Sequence, residues 1–229
     1  MKSGEFEYRV GPIFANLVLI DEINRSPAKT QAALFEVMQE NQMTIDGQTH
    51  KLPSPFMVLA TQNPIEQEGT YKLPEAQQDR FLFKIKIDYP SLEEEIEILN
   101  RFGSDFYQKV NSSIQAVMGA QDIAECKELV QKVHIQSDLV KYIASIVDYT
   151  RHTGDLFLGA SPRASLSILK TSKALAAMNG RDFVTPEDIR YAVFPVLNHR
   201  LVLSPEKEME GLEVRDIIED IINKIEVPR

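Results

Sequence analysis

The chain has 229 residues, 43% hydrophobic and 26% charged, with a formal net charge of −9. That composition supplies one large globular core or two smaller ones. An acidic surface repels phosphate backbones, which sets nucleic acid aside as the main partner, and no apolar run reaches membrane-spanning length.

The first ten residues, MKSGEFEYRV, are charged and do not read as a signal peptide. The single thiol, Cys126, forms no internal disulfide and fits a reducing cytoplasm. His50, His134, His152 and His199 lack zinc-ligand spacing and read as surface or half-buried imidazoles.

Residues 5–10 alternate polar positions with Phe6, Tyr8 and Val10, which predicts a short half-buried strand broken by Gly11-Pro12. The run Leu17 to Ile20 predicts a central strand of a parallel sheet, covered on both faces. Ser26-Pro27 predicts a helix start, with a hydroxyl cap and proline at the first helical position. Leu34, Val37 and Met38 give that helix an apolar face. Asp46-Gly47 marks a hairpin turn within MTIDGQTHKL. Phe56 to Ala60 predicts a second buried strand, and Phe81 to Ile87 a third.

After Tyr89-Pro90 the pattern turns helical. Ser91 and Glu94 form a capping box. Leu139, Ile143, Ile146 and Val147 share one face, and Leu166, Leu169 and Leu175 another. Thr185-Pro186-Glu187-Asp188 starts a further helix. The last carries Val214, Ile217, Ile218, Ile221, Ile222 and Ile225 at i, i+3, i+4 spacing. The expected fold class is α/β up to about residue 90, then all-helical over 91–229.

Asp21-Glu22 follows the first apolar strand and Thr61-Gln62-Asn63 the second. Ligands of open α/β sheets bind beyond the carboxyl ends of the strands. Two strand ends thus aim acidic and amide groups at one crevice, and phosphoryl transfer needs such groups. An isolated Asp-Glu pair reads equally as a solvated cap. The four preceding apolar residues and the polar TQN after the next strand favour a site.

LVLIDEINR resembles the Walker B motif of AAA+ ATPases in the form used by the MoxR group. ATQNP (Ala60 to Pro64) resembles that group's sensor 1, LPEAQQDRF (Leu73 to Phe81) its arginine-finger segment, and GASPRAS (Gly159 to Ser165) its sensor 2. LVLSPE and the closing VPR also resemble the family, so the resemblance spans nearly the whole chain. It implies a partial P-loop NTPase core over 1–90 and a helical lid over 91–229. It also implies ATP with Mg²⁺ as cofactors and chaperone-like remodelling as activity. Asp21 would organise the Mg²⁺ through water, and Glu22 would activate the attacking water. Asn63 would position that water or sense the γ-phosphate. Arg80 would reach a neighbouring subunit's nucleotide, and Arg163 the γ-phosphate of its own. The implied assembly is a homo-oligomeric ring, usually a hexamer, working beside a von Willebrand A domain protein.

The residues bear on two of these roles directly. Arg163 falls in the first turn of a helix capped by Ser161-Pro162, where a cation opposes the helix dipole unless an anion lies between them. Arg80 has a competing reading as a local salt bridge with Asp79. Asn24-Arg25 reads as capping or local hydrogen bonding as readily as nucleotide contact.

None of the ten glycines precedes a lysine, so the phosphate loop GxxxxGK[ST] is absent from these residues. The nearest match, Gly154 to Ser161, has Ala160 where the lysine belongs and reads as a loop before a helix. Only sixteen residues precede Leu17. The expectation is a chain that starts in mid-domain, with an exposed sheet, no tight ATP binding and no turnover by itself. Two further readings stand beside this one: a nucleotide-independent protein-interaction module, and a chelatase-like or DNA-directed AAA+ relative.

Overall fold

A computed structural model describes residues 11–45, 47–63, 73–103 and 115–228. The strand expected over 5–10 lies outside the described residues, as do Asp46 of the hairpin turn and Pro64 of the ATQNP segment. In chain order the first part carries β1 (Leu17–Ile20), a 3-10 turn (Ile23–Arg25), α1 (Ala28–Glu40), β2 (Gln42–Ile45), β3 (Gln48–Lys51), β4 (Met57–Ala60) and the short α2 (Glu75–Gln78). Helices follow: α3 (Leu92–Phe102), α4 (Ala120–Lys132), α5 (Ser137–His152), α6 (Pro162–Met178), α7 (Pro186–Leu197), α8 (Pro205–Met209) and α9 (Val214–Lys224). Two small strands, β5 (Leu156–Leu158) and β6 (Val202–Leu203), pair antiparallel among them.

β1 and β4 pair in parallel, with Leu17 opposite Met57 and Leu19 opposite Leu59. This register stacks the four side chains on one face of the sheet. That face is open: Leu19 is 67% exposed, and Leu17, Met57 and Leu59 are also exposed. The expectation of burial on both faces is therefore corrected. Val18, Ile20, Val58 and Ala60 face the other way, where Ile20, Val58 and Ala60 pack on a small core of Ile23, Leu34, Phe35 and Leu73. Phe81 packs against the same core, its ring 6.0 Å from that of Phe35 and nearly perpendicular. β2 and β3 form the expected hairpin, with Gly47 at φ 78° where glycine carries no steric cost.

Two local expectations shift. Pro27 is the N-cap of α1, not its first residue, and no side chain caps that end. The Ser26 carbonyl instead accepts a hydrogen bond from Gln31 Nε2 at 3.1 Å, and Ile23 O accepts from the same nitrogen at 3.2 Å. The third strand, Phe81 to Ile87, does not form. Residues 83–90 belong to no strand and Ile87 is 92% exposed. A strand needs a ladder partner, and this segment meets a helix end instead. Lys84 N–H donates to Pro195 O at 3.2 Å, and Asn198 Nδ2 donates to Lys84 O at 2.9 Å.

The helical part holds the larger core, built from α5, α6, α7 and α9. Leu139, Ile143, Ile146 and Val147 are buried as expected, and so are Ile217, Ile218 and Ile221. The face of α6 is corrected at one position, since Leu169 and Leu175 pack against the core as expected. Leu166 is exposed, and the buried positions are Ala164, Ser167, Ile168, Thr171, Ser172 and Ala176. Small side chains let α6 lie close to its neighbours, and Ser172 satisfies its hydroxyl on Ile168 O at 2.8 Å. Both capping boxes form: Ser91 N–H donates to Glu94 Oε2 at 2.7 Å, and Thr185 N–H to Asp188 Oδ2 at 2.8 Å.

This contrast sets the order of local stability, since the strand-bearing part buries only a few large side chains while the helical part buries a continuous cluster. In native-state hydrogen exchange, amides in the middle of α5, α6 and α7 are expected to outlast those of β1 and β4 by at least tenfold.

Candidate functional site

β1 ends at Ile20, and the backbone turns sharply at Glu22, which has φ 49° and ψ 53°. A left-handed conformation at a residue with a Cβ costs on the order of 1–3 kcal/mol, and it persists only where neighbours hold it. Thr61 is the neighbour that does so. Its hydroxyl accepts from Glu22 N–H at 2.9 Å and donates to Asp21 Oδ1. Its backbone joins the same turn: Thr61 N–H donates to Ile20 O at 2.9 Å, and Ile23 N–H to Thr61 O at 3.0 Å. The Glu22 carboxylate meets Arg25 Nε at 3.2 Å.

Asn24 is buried behind this turn. Its Nδ2 reaches Asn63 O at 3.4 Å, which ties the end of β4 to the turn after β1. Asn24 Oδ1 is buried with no hydrogen-bond partner among the described residues. Asp21, Glu22 and Asn63 are thus brought to one end of the two-stranded sheet, as the sequence leads one to expect. Asn24 makes a local hydrogen bond here through Nδ2.

The donor set there is one exposed carboxylate, Asp21, with a second beside it. Among the described residues no group of three or more His, Cys, Asp or Glu is placed to hold a metal. Mg²⁺ binds through one or two carboxylates and fills its remaining positions with water and phosphate oxygens, and Asp21 with Glu22 beside it offers carboxylates of that kind. Asp21 would hold it through water. The residues present fit this half of a nucleotide site. They do not include the glycine-lysine loop of the phosphate half.

The remaining candidates lie farther along the chain, around Asp79. Arg163 sits in the first turn of α6, and its N–H donates to Ser161 Oγ at 3.2 Å. Its guanidinium pairs with Asp79, Nη1 to Oδ2 at 2.9 Å. Ser161 Oγ donates to the same carboxylate at 2.9 Å. Arg200 takes the other oxygen, Nε to Oδ1 at 2.8 Å. Arg200 also donates to the carbonyls of Asp79, Phe81, Leu82 and Val196. Asp79 therefore does not pair with Arg80, which corrects the competing reading of that arginine. Arg80 Nη1 turns back onto α1, to Gln39 Oε1 and Phe35 O, and its guanidinium lies 5.9 Å from the Phe35 ring centroid. A shallow cleft lined by Phe35, Glu36, Gln39, Gln77 and Arg80 opens there.

Gly159 fixes the loop that carries Ser161 and Arg163. A Cβ there would lie 2.5 Å from Thr150 O, so only glycine lets this loop touch the end of α5. Ala160 N–H donates to Thr150 Oγ1 at 2.9 Å, and Arg151 Nε to Ala160 O at 2.8 Å. The segment is thus held as a helix-entry loop, part of it forming β5.

Burial raises the Asp79 carboxyl, but Ser161, Arg200 and Arg163 outweigh it and hold the group below the ordinary carboxylate range. His199 is buried beside Arg200. Desolvation first, then that guanidinium, push its imidazole down to about 4, with the Phe81 carbonyl partly opposing. The sequence reading missed Thr61 and Arg200 as individual residues. Arg200 had a signal: the polar run Asn198-His199-Arg200 interrupts the apolar stretch VFPVL–LVL. Thr61 had none beyond its place at a strand end.

The sequence matches two families, one described as ATPase family associated with various cellular activities (AAA) over residues 1–83, the other as AAA lid domain over 148–221. The uncharacterized protein YeaC of Bacillus subtilis is 44% identical over 229 residues, covering 99% of this chain and 70% of that protein. Chaperone MoxR1 of Mycobacterium tuberculosis is 42% identical, covering 98% of this chain and 61% of its own length. A solved structure from Cytophaga hutchinsonii superposes with a TM-score of 0.90 at 43% identity, over 99% of this chain and 70% of that one.

Arg200 is 1% exposed and Arg163 44%, so the two pairs on Asp79 differ in weight. Arg200→Met leaves a largely buried carboxylate short of its main partner and is expected to cost about 3–5 kcal/mol in urea unfolding. Arg163→Ala is expected to cost no more than about 1 kcal/mol. The His199 imidazole binds its proton less readily folded than unfolded, so its contribution is complete above pH 6.5 and is lost as pH falls towards 4. His199→Gln should flatten that part of the stability–pH curve, losing a slope worth about 3 kcal/mol in total.

Proposed function

The chain belongs to the MoxR-type AAA+ ATPases, and from that premise we propose that its Asp21–Glu22 and Asn63 cluster is the water-activating half of an ATP hydrolysis site. The reaction is transfer of the γ-phosphoryl group of ATP to water, giving ADP and phosphate. The observation that carries the proposal is the hydrogen-bonded cluster at the ends of β1 and β4. There the Asp21 and Glu22 backbone is locked by Thr61, and Asn24 ties in Asn63.

In this reading Asp21 and Glu22 would lie beside Mg²⁺, which when bound would supply electrostatic stabilisation of the charge developing on the phosphate. Asp21 would hold the hydrated metal through its carboxylate. The Glu22 carboxylate orients the attacking water and takes up its proton as the new P–O bond forms. The Asn63 amide holds that water in line. Arg25, 3.2 Å from Glu22, is the resting partner that Glu22 leaves to do so.

Two arginines complete the proposal. Arg163 enters from the helical part and contacts the γ-phosphate of its own subunit, exchanging Asp79 for a phosphate oxygen. Arg80 lies on the α1 side of the molecule and serves a neighbouring subunit's nucleotide in a homo-oligomeric ring, read as a hexamer. The hydrolysis cycle drives chaperone-like remodelling of protein complexes, with a von Willebrand A domain protein as a candidate partner. Among the described residues no helix is long and apolar enough to cross a membrane.

Two experiments test this reading. Residues 1–229 alone should give no saturable signal with a fluorescent ATP analogue in Mg²⁺, while the protein extended to the length of its relatives should bind and hydrolyse ATP. In the longer protein Glu22→Gln and Arg80→Ala should each lower kcat at least a hundredfold, and mixing the two inactive variants should restore part of the activity. Complementation requires subunits that share sites, so two variants that stay dead together would exclude action of Arg80 across an interface.

A further inference from the structure

We propose that Thr61 is a positioning residue for the hydrolytic pair, acting through a two-bond relay that no other side chain among the described residues duplicates. This inference rests on the ATPase reading of Asp21 and Glu22. The hydroxyl of Thr61 has one proton to give and gives it to Asp21 Oδ1, and its lone pair accepts the Glu22 N–H at 2.9 Å. One side chain thereby links the two carboxylate-bearing residues and fixes both bonds at once.

Each bond has a separate consequence. The bond to Asp21 Oδ1 commits one carboxylate oxygen and sets the plane of the group, which leaves Oδ2 to face a hydrated cation. The bond from Glu22 N–H holds the peptide that precedes a left-handed residue, φ 49° and ψ 53°. Without it the strain at Glu22 is relieved by turning that peptide, and the carboxylate swings away from the line of attack. The backbone of Thr61 is bonded independently, N–H to Ile20 O and carbonyl oxygen from Ile23 N–H. Removing the hydroxyl therefore leaves the β1–β4 junction intact. Among the described residues, the polar groups bonded to Thr61 belong to the two strand ends. Asn24 reaches Asn63, and Arg25 reaches Glu22 Oε2, and neither meets Asp21 Oδ1.

The roles predict a split that a structural residue would not produce. Thr61→Val keeps β-branching and volume but carries no hydroxyl, and Thr61→Ser keeps the hydroxyl. In the 229-residue chain, hydrogen exchange at the Glu22 amide should accelerate at least tenfold in the valine variant and stay near wild type in the serine variant. Exchange at the Ile23 amide, bonded to the Thr61 backbone, should not change in either. In the protein extended to the length of its relatives, kcat should fall at least tenfold in the valine variant with the KM for ATP within twofold, and serine should restore it. Unchanged Glu22 exchange in the valine variant overturns the relay. Faster exchange with unchanged kcat overturns the positioning role. Absence of turnover in the wild-type longer protein sinks the ATPase reading instead, and the exchange result then decides the relay alone.

Discussion

The Asp79 carboxylate is the point on which the two parts of this molecule hinge. It lies just after α2, in a segment that continues from the small strand-side core, yet its partners Ser161, Arg163 and Arg200 all come from the helical part. A half-buried carboxylate is costly without partners, and a buried guanidinium more so. Here each satisfies the other. Arg200 spends its remaining donors on the carbonyls of Asp79, Phe81, Leu82 and Val196, so its charge enters the interior with a full set of acceptors. The geometry is unforgiving, because four carbonyls and a carboxylate must converge on one planar group.

That convergence explains why residues 79–84 run as they do. The segment has the alternation of a strand in Phe81, Phe83, Ile85 and Ile87. Alternation specifies which side chains share a face, and pairing requires a second strand within hydrogen-bonding distance. In this structure the segment instead meets the Pro195 carbonyl and the side chains of Asn198, His199 and Arg200, at the end of α7 and just after it. Arg80 inherits its place from the same constraint. With Asp79 taken by Arg163 and Arg200, it turns the other way, over Phe35 and onto Gln39.

The ends of β1 and β4 are organised by a weaker but more directed set of bonds. Glu22 occupies a conformation that its Cβ disfavours, and the Thr61 hydroxyl and Ile23–Thr61 backbone bond keep it there. Local strain at such a position is stable only when several contacts over-determine it. Those contacts cross between β1 and β4, so the site depends on the parallel pairing and register of two short strands. The open face of that pair, Leu17, Leu19, Met57 and Leu59, contributes little to holding it. The small core beneath, around Ile23 and Phe35, carries the load instead.

The sequence by itself determined the elements whose signal is local. The apolar runs fixed β1 and β4, the Asp-Gly turn fixed the hairpin, and Ser91/Glu94, Ser161-Pro162 and Thr185/Asp188 fixed three helix starts. Isoleucines at helical spacing marked the inner face of α9. The placement of Asp21, Glu22 and Asn63 together was legible too, since parallel strands must present their carboxyl ends on one side. The tertiary structure alone decided what depends on partners far away in the chain. The inner face of α6 combines Ile168 with the small side chains Ala164, Ser167 and Ser172, and which positions turn inward depends on the neighbouring helices it packs against. The strand at 81–87 was lost because its neighbour turned out to be a helix end. The pairing of Asp79 with Arg163 and Arg200, 84 and 121 residues away, leaves no periodic trace. Local pattern encodes which backbone shape each segment prefers, whereas the partner of a charge is set by which surfaces meet when the chain folds.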